Sequence, residues 1–172
     1  MTLAGGDEGL VGCWFLGQKY DERGLPAGAR RGVHPILDEA GRWLDLYFAG
    51  KIPDFMPKLS PQGTPFQKEV WGILRTIPYG KTMTYGEIAK IIAARRGVSQ
   101  MSAQAVGGAV GRNPITIFIP CHRVMGADGK LTGYAGGIEK KRALLDLERD
   151  GRPIVKSFID TAKKIEYDET KV

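Results

Sequence analysis

Ile115-Thr116-Ile117-Phe118-Ile119-Pro120-Cys121-His122-Arg123-Val124 is the stretch from which the rest of the chain is read. An alternating, largely β-branched run is the sequence form of a buried strand, and Pro120, which has no amide donor, ends its ladder. The next residue is a cysteine. The thiolate is the reactive form, and an unperturbed thiol is mostly protonated at neutral pH, so Cys121 needs a neighbour's help; His122 and Arg123 stand beside it. Two readings are open at this point. Cys121 is either a nucleophile carried on a rigid strand end or an inert core residue, since free cysteine is among the most buried residue types.

Working upstream, three helices precede this strand. Thr64-Pro65-Phe66-Gln67 is a capping box with proline at the first helical position, followed by Phe66, Val70, Trp71, Leu74 and Ile77 at helical spacing. Thr84-Tyr85-Gly86-Glu87 is a second capping box, leading into a short helix that ends near Arg95-Arg96-Gly97. Ser102 caps a third, residues 103–111, built from small residues including Gly107 and Gly108. Two short helices joined by a turn have the outline of a helix-turn-helix. Each glycine costs about 1 kcal/mol in a helix interior, which is sensible only where another surface approaches the backbone closely. That surface is either a DNA groove or a neighbouring helix.

Downstream, Asp128-Gly129 is a turn signal, Tyr134-Ala135-Gly136-Gly137 a glycine loop, and residues 138–149 a helix with Leu144, Leu145 and Leu147. Toward the N-terminus, residues 10–16 read as a strand with Cys13 in its interior, and residues 17–32 as a surface loop. Ile36, Leu37, Ala40, Trp43, Leu44, Tyr47 and Phe48 form one face of an amphipathic helix begun at Pro35, with His34 at its start. The prolines at 53, 57, 61 and 65 exclude helix and central strand. This pattern predicts an α+β fold in two domains: an N-terminal α/β domain over residues 1–58, a proline-rich linker over 59–65, a second domain over 66–150 and a tail over 151–172. A short amphipathic piece is expected around residues 158–165.

Composition narrows the class. At 172 residues, 42% hydrophobic and 26% charged, the chain is globular, and no apolar run reaches the ~18 residues of a membrane span. Two cysteines and no secretory pattern at the N-terminus predict a cytoplasmic protein without disulfides. Cys13, Cys121, His34 and His122 do not have zinc-ligand spacing, so no metal is expected. The net charge of +6 is localised: residues 61–150 carry thirteen Lys and Arg against seven Asp and Glu, while residues 1–60 carry seven against eight. A basic segment points to a polyanionic partner or to a solvated charged face.

Asn113-Pro114, Ile119-Pro120-Cys121-His122-Arg123-Val124, Gly133-Tyr134-Ala135-Gly136-Gly137 and Glu148, in this order, resemble the O6-alkylguanine-DNA alkyltransferase family, over about residues 65–148. The resemblance implies a winged-helix-like helix-turn-helix beside the active-site strand end, and an N-terminal α/β domain with an antiparallel sheet. Family members usually have a further first strand, which this sequence is expected to lack. The implied activity is direct DNA repair: an alkylated guanine is flipped from double-stranded DNA and its O6-alkyl group passes irreversibly to Cys121. O4-alkylthymine is an implied second substrate, no cofactor is needed, and the protein is expected to act as a monomer.

By the same resemblance, His122 takes the thiol proton through a water, Glu148 orients His122, and Asn113 holds the turn that shapes the site. Tyr85, Gln104, Ala105, Gly107, Gly108, Arg112 and Arg123 would contact DNA, and Tyr134, Ala135 and Gly136 would line the base pocket. Gln104 departs from the family, many of whose members carry an intercalating arginine at this position. Three rivals remain: a relative that binds alkylated DNA and recruits other factors, a helix-turn-helix regulator, and a Cys-His hydrolase. Such recruiting relatives lack the cysteine, a regulator leaves Cys121 and Glu148 unexplained, and a hydrolase needs a base with direct access to water.

Overall fold

The computed structural model describes residues 1–18, 25 and 29–154, and the backbone of residues 163–166. The architecture is α+β. Strands β1 (Thr2–Gly6) and β2 (Gly9–Trp14) form an antiparallel hairpin, followed by β3 (Arg30–Arg31) and helix α1 (Pro35–Phe48). Helix α2 (Pro65–Leu74), strand β4 (Met83–Thr84) and helices α3 (Tyr85–Arg96) and α4 (Ala103–Gly111) come next. Strand β5 (Val124–Met125), helix α5 (Ile138–Asp150) and strand β6 (Lys163–Glu166) complete the order.

The larger sheet has the order β2-β1-β6-β3, with β6 parallel to β1 and antiparallel to β3, so it is mixed rather than the antiparallel sheet expected, because the chain returns to β1 from its far end. The sequence reading began its first strand at residue 10. The structure adds β1 before it, paired to β2 from Thr2↔Trp14 to Gly6↔Gly9, because the short Asp7-Glu8 turn lets the chain fold straight back. Of the amphipathic piece expected at residues 158–165, the part before 163 lies outside the described residues; residues 163–166 are strand.

The helices begin and end where their capping chemistry dictates. Both capping boxes form: Thr64 with Gln67, and Thr84 with Glu87. Ser102 caps α4, and the His34 side chain accepts from the Ile36 amide to cap α1. Gly97 closes α3 in the left-handed conformation. Trp71 Nε1 donates to Ala109 O at 2.9 Å, fixing α4 against α2.

One contiguous core runs from Leu3 and Leu37 through Trp71 and Ile88 to Leu144 and Leu147, so the buried residues on either side of the proline-rich stretch belong together. That stretch is itself tied down: Leu10 N donates to Lys58 O and Ser60 N to Leu10 O.

The expected strand over residues 115–119 is not one. Ile115 makes an isolated parallel bridge to Cys13, after which the chain turns, with Ile117 at φ 76 and a bridge between Thr116 and Ile119. A β-branched residue in the left-handed region costs about 1–3 kcal/mol and persists only where its surroundings enforce it. Here Asn113 does so: its Oδ1 accepts from Ile115 N at 3.0 Å and its Nδ2 donates to Ile119 O at 2.7 Å. The apolar run is buried as foreseen, but it is wound around an asparagine rather than extended in a ladder.

Candidate active site

Cys121 lies at the start of a 3₁₀ turn, Cys121–Arg123, and not at the end of a strand. Asn113 Nδ2, besides holding Ile119 O, donates to the Cys121 sulfur at 3.1 Å. The residue that shapes the turn therefore also touches the nucleophile. Burial pushes the Cys121 thiol up, opposed by the Asn113 hydrogen bond and by the positive charge of Lys141. Cys121 is thus a protonated thiol at rest and requires a base. Cys13 is fully buried in β2, and burial pushes its thiol far up, which makes it the packing residue of the pair.

The base is beside it in sequence but is directed the other way. His122 is fully buried, and its Nε2 lies 2.7 Å from Glu148 Oε1. Burial lowers its pKa more than Glu148 restores it, so the ring is neutral near pH 7 and Nε2 carries the proton donated to the carboxylate. This leaves Nδ1 as the lone-pair nitrogen, and it is buried without a hydrogen-bond partner among the described residues. A buried imidazole with one nitrogen oriented by a carboxylate and the other free is a general base with a fixed tautomer.

Glu148, in the last turns of α5, is the hub of the site. Its Oε1 accepts from His122, from the Tyr47 hydroxyl at 2.6 Å and from Arg123 Nη2 at 2.9 Å. Its Oε2 accepts from the Gly80 amide at 3.0 Å and from Arg123 Nε at 2.9 Å. Burial alone would raise the carboxyl, but the hydrogen bond from neutral His122 and the hydrogen bonds and charge of Arg123 overcome it and hold Glu148 far below the usual range. It stays ionised.

Arg123 was expected among the DNA-binding residues. Its guanidinium turns inward instead: it grips Glu148, donates to Ile77 O at 2.6 Å and lies over the Tyr79 ring, leaving the side chain 12% exposed. Turning inward is the electrostatically favourable course, because a buried carboxylate needs a charged partner.

Most of the remaining expected residues gather around two adjoining hollows. Tyr85, Gly107, Gly108, Arg112, Tyr134 and Ala135 line one open pocket of about 470 Å³, shared between α3, α4 and the loop before α5. Gln104 lines a neighbouring hollow with Tyr85, Gly86 and Gly107. Ala105 on α4 and Arg112 at its C-terminal cap are exposed. Gly136 is behind the pocket wall, with Phe15 so close that a Cβ there would lie 2.7 Å from its ring.

The glycines of α4 now have a clearer reading. A Cβ on Gly107 would approach no closer than 3.8 Å to the Tyr85 ring, and one on Gly108 no closer than 3.7 Å to Arg112. Those are ordinary contacts, so helix packing does not require glycine at either position.

Two groups in the site were not foreseen as functional. Tyr47 was read only as a core residue of α1, 101 residues from Glu148. Lys141 is fully buried, donating to Val124 O at 2.5 Å and Thr132 O at 2.8 Å, so that it fastens the segment between the nucleophile and the glycine loop. Burial brings its ammonium down to about 8. A lysine in a charged helix carries no sequence signal of this. Among the described residues no cluster of three metal-ligating side chains occurs, and no helix is long and apolar enough to cross a membrane.

Residues 65–150 match the family model described as 6-O-methylguanine DNA methyltransferase, DNA binding domain. The chain is 56% identical over 149 residues to the methylated-DNA–protein-cysteine methyltransferase of Methanosarcina acetivorans, covering 86% of this chain and 90% of that protein. It is 45% identical over 161 residues to the protein of the same name from Mycobacterium tuberculosis, covering 93% and 92%. The crystal structure of Mycobacterium tuberculosis OGT in complex with DNA superposes with a TM-score of 0.71 at 44% identity, over 88% of this chain and 87% of that one. Together with a cysteine, histidine and glutamate joined in one buried site, these likenesses place the chain in the methylated-DNA–protein-cysteine methyltransferase family.

Proposed function

We propose that this protein repairs O6-alkylguanine in double-stranded DNA by a single, irreversible alkyl transfer to Cys121. The observation that carries the proposal is the buried His122, held by Glu148 through Nε2 with Nδ1 left free, next to a thiol that burial keeps protonated. In the reaction, Nδ1 receives the thiol proton through a water and the sulfur attacks the alkyl carbon. The carbon–O6 bond breaks, its electron pair stays with guanine, and the base is reprotonated. The thioether that forms is no leaving group at neutral pH, so each molecule acts once.

A thiol this buried reaches a guanine only if the base leaves the duplex, at a cost of a few kcal/mol in lost pairing and stacking. In this reading, the 470 Å³ pocket receives the flipped base between Tyr85 and the Tyr134–Ala135 loop. The exposed α4 surface, with Ala105, Gly107, Gly108 and Arg112, is the recognition helix of a winged-helix-like module. β4 and β5, paired in parallel, connect that module to the nucleophile's turn. Gln104, at the edge of the pocket, fills the gap left by the base through hydrogen bonding and without charge. O4-alkylthymine is the second substrate, the protein acts as a monomer, and residues 66–150 carry both DNA binding and transfer.

The test uses a duplex with one O6-methylguanine and a titration of protein against it. Repair predicts one guanine restored per protein molecule, no further turnover, and no restoration by Cys121→Ala. Tight binding without restoration would favour a recruiting or regulatory protein, and ester turnover a hydrolase.

A further inference from the structure

The α1 helix reaches the reacting residues through one side chain. Tyr47, 1% exposed, donates its hydroxyl to Glu148 Oε1 at 2.6 Å and lies 3.3 Å from His122 Nε2. The same carboxylate oxygen therefore serves both groups. The ring leaves no freedom to the hydroxyl: it stacks on Trp43 at 5.2 Å and meets Phe48, Tyr79 and His122 edge-on. The helix end that carries it is fixed as well. Ile154 N donates to Phe48 O, and Gly50, at φ 76, passes so close to Gly151 that a Cβ would sit 2.3 Å from its carbonyl. The C-terminal ends of α1 and α5 abut, and Tyr47 and Glu148 are the polar pair across that junction.

Burial, and then the charge of Glu148, push the Tyr47 phenol well above its ordinary range, so it remains a neutral donor at every working pH. A neutral donor on Oε1 draws electron density away from the atom that accepts His122 Nε2–H, without adding charge. It holds the carboxylate in register with the imidazole and restrains how far Glu148 raises the histidine's basicity.

We infer that Tyr47 is a positioning residue of the transfer reaction: through Glu148 Oε1 it sets the orientation and proton affinity of His122. The inference rests on the alkyl-transfer reading above and extends it to α1, outside the segment matched by the family model. The other titratable and charged groups around His122 are Cys121 and Arg123 on its own turn and Glu148 and Lys141 from α5. Tyr79, following α2, packs on Tyr47.

Tyr47→Phe keeps the ring and removes only the hydroxyl. Relieved of the competing donor, Oε1 bonds His122 more strongly, and protonated His122 is favoured. The acid limb of the pH–rate profile for methyl transfer should move up by roughly half a pH unit. The rate should fall by about threefold at pH values well below that limb and by less than this near pH 7, where His122 is mostly neutral in either protein.

The His122 ring-nitrogen resonances, separated from those of His34 by a His34 variant, should show the same upward shift in titration. This second readout needs no activity: absence of methyl transfer in the wild type would overturn the repair reading, while the titration would still decide whether Tyr47 tunes His122. An unchanged titration together with an unchanged pH profile would overturn the inference. So would a rate loss equal at all pH values and accompanied by a lower melting temperature, the mark of a merely structural tyrosine.

Discussion

Glu148 concentrates the electrostatics of the site on one carboxylate, and its substitution separates stability from catalysis. Removing its charge strands the Arg123 guanidinium, 12% exposed, beside a neutral amide. Glu148→Gln should destabilise the fold by about 3 kcal/mol at neutral pH, by analogy with broken buried pairs. The pH dependence follows from the direction of the shift. A carboxyl held below its ordinary 4.5 binds fewer protons folded than unfolded, so its contribution is full above that pH and drains away as the pH falls further. Denaturant unfolding at several pH values should show the gap between wild type and Glu148→Gln narrowing as the pH drops from about 5 to about 3. A gap constant across that range would remove Glu148 from the hub. Cys121, His122 and Glu148 were legible in the sequence because they stand in a recurrent motif. Tyr47, Lys141 and the inward Arg123 were not, since each owes its role to a partner brought close only by folding, and an arginine beside a cysteine reads as readily as a phosphate contact.

At the scale of elements, the helices were legible and the nucleophile's support was not. Capping boxes are local, each written within four residues, and both form as expected. The 115–119 segment failed as a strand because alternation records burial on both sides, which a turn wound around Asn113 satisfies equally well. Helix α4 carries the most direct element-level prediction. Since no protein atom crowds Gly108, Gly108→Ala should raise stability by about 1 kcal/mol through helix propensity alone. The same substitution should slow methyl transfer from duplex DNA several-fold, because on the proposed role of α4 as recognition helix the added methyl would stand between its backbone and the DNA. Thermal melting and single-turnover kinetics measure the two effects, and unchanged kinetics would return the glycines to chance. The N-terminal sheet was the least legible element, since β6 pairs with β1 across almost the whole length of the chain.

For the whole molecule, charge and core tell different stories. The main core cluster draws on residues from both sides of the proline-rich stretch, yet the positive excess sits in residues 61–150, the segment that contains the pocket and α4. DNA binding should therefore weaken steeply with salt, by an amount set by the number of phosphates neutralised. Gln104 contributes none of that number. Gln104→Arg should tighten binding to duplex DNA and steepen the salt slope by about one unit, measured by fluorescence anisotropy over a salt series. Equal slopes and equal affinities would place Gln104 away from the DNA.

The repair chemistry rests on Cys121 accepting an alkyl group from DNA. The decisive measurement is the intact mass of the protein, with peptide mapping, after incubation with a duplex bearing O6-methylguanine. The account predicts one added methyl, located on the peptide containing Cys121, absent from Cys13 and absent in Cys121→Ala. Protein that binds the duplex and returns unmodified, or methylation on any residue other than Cys121, would contradict it.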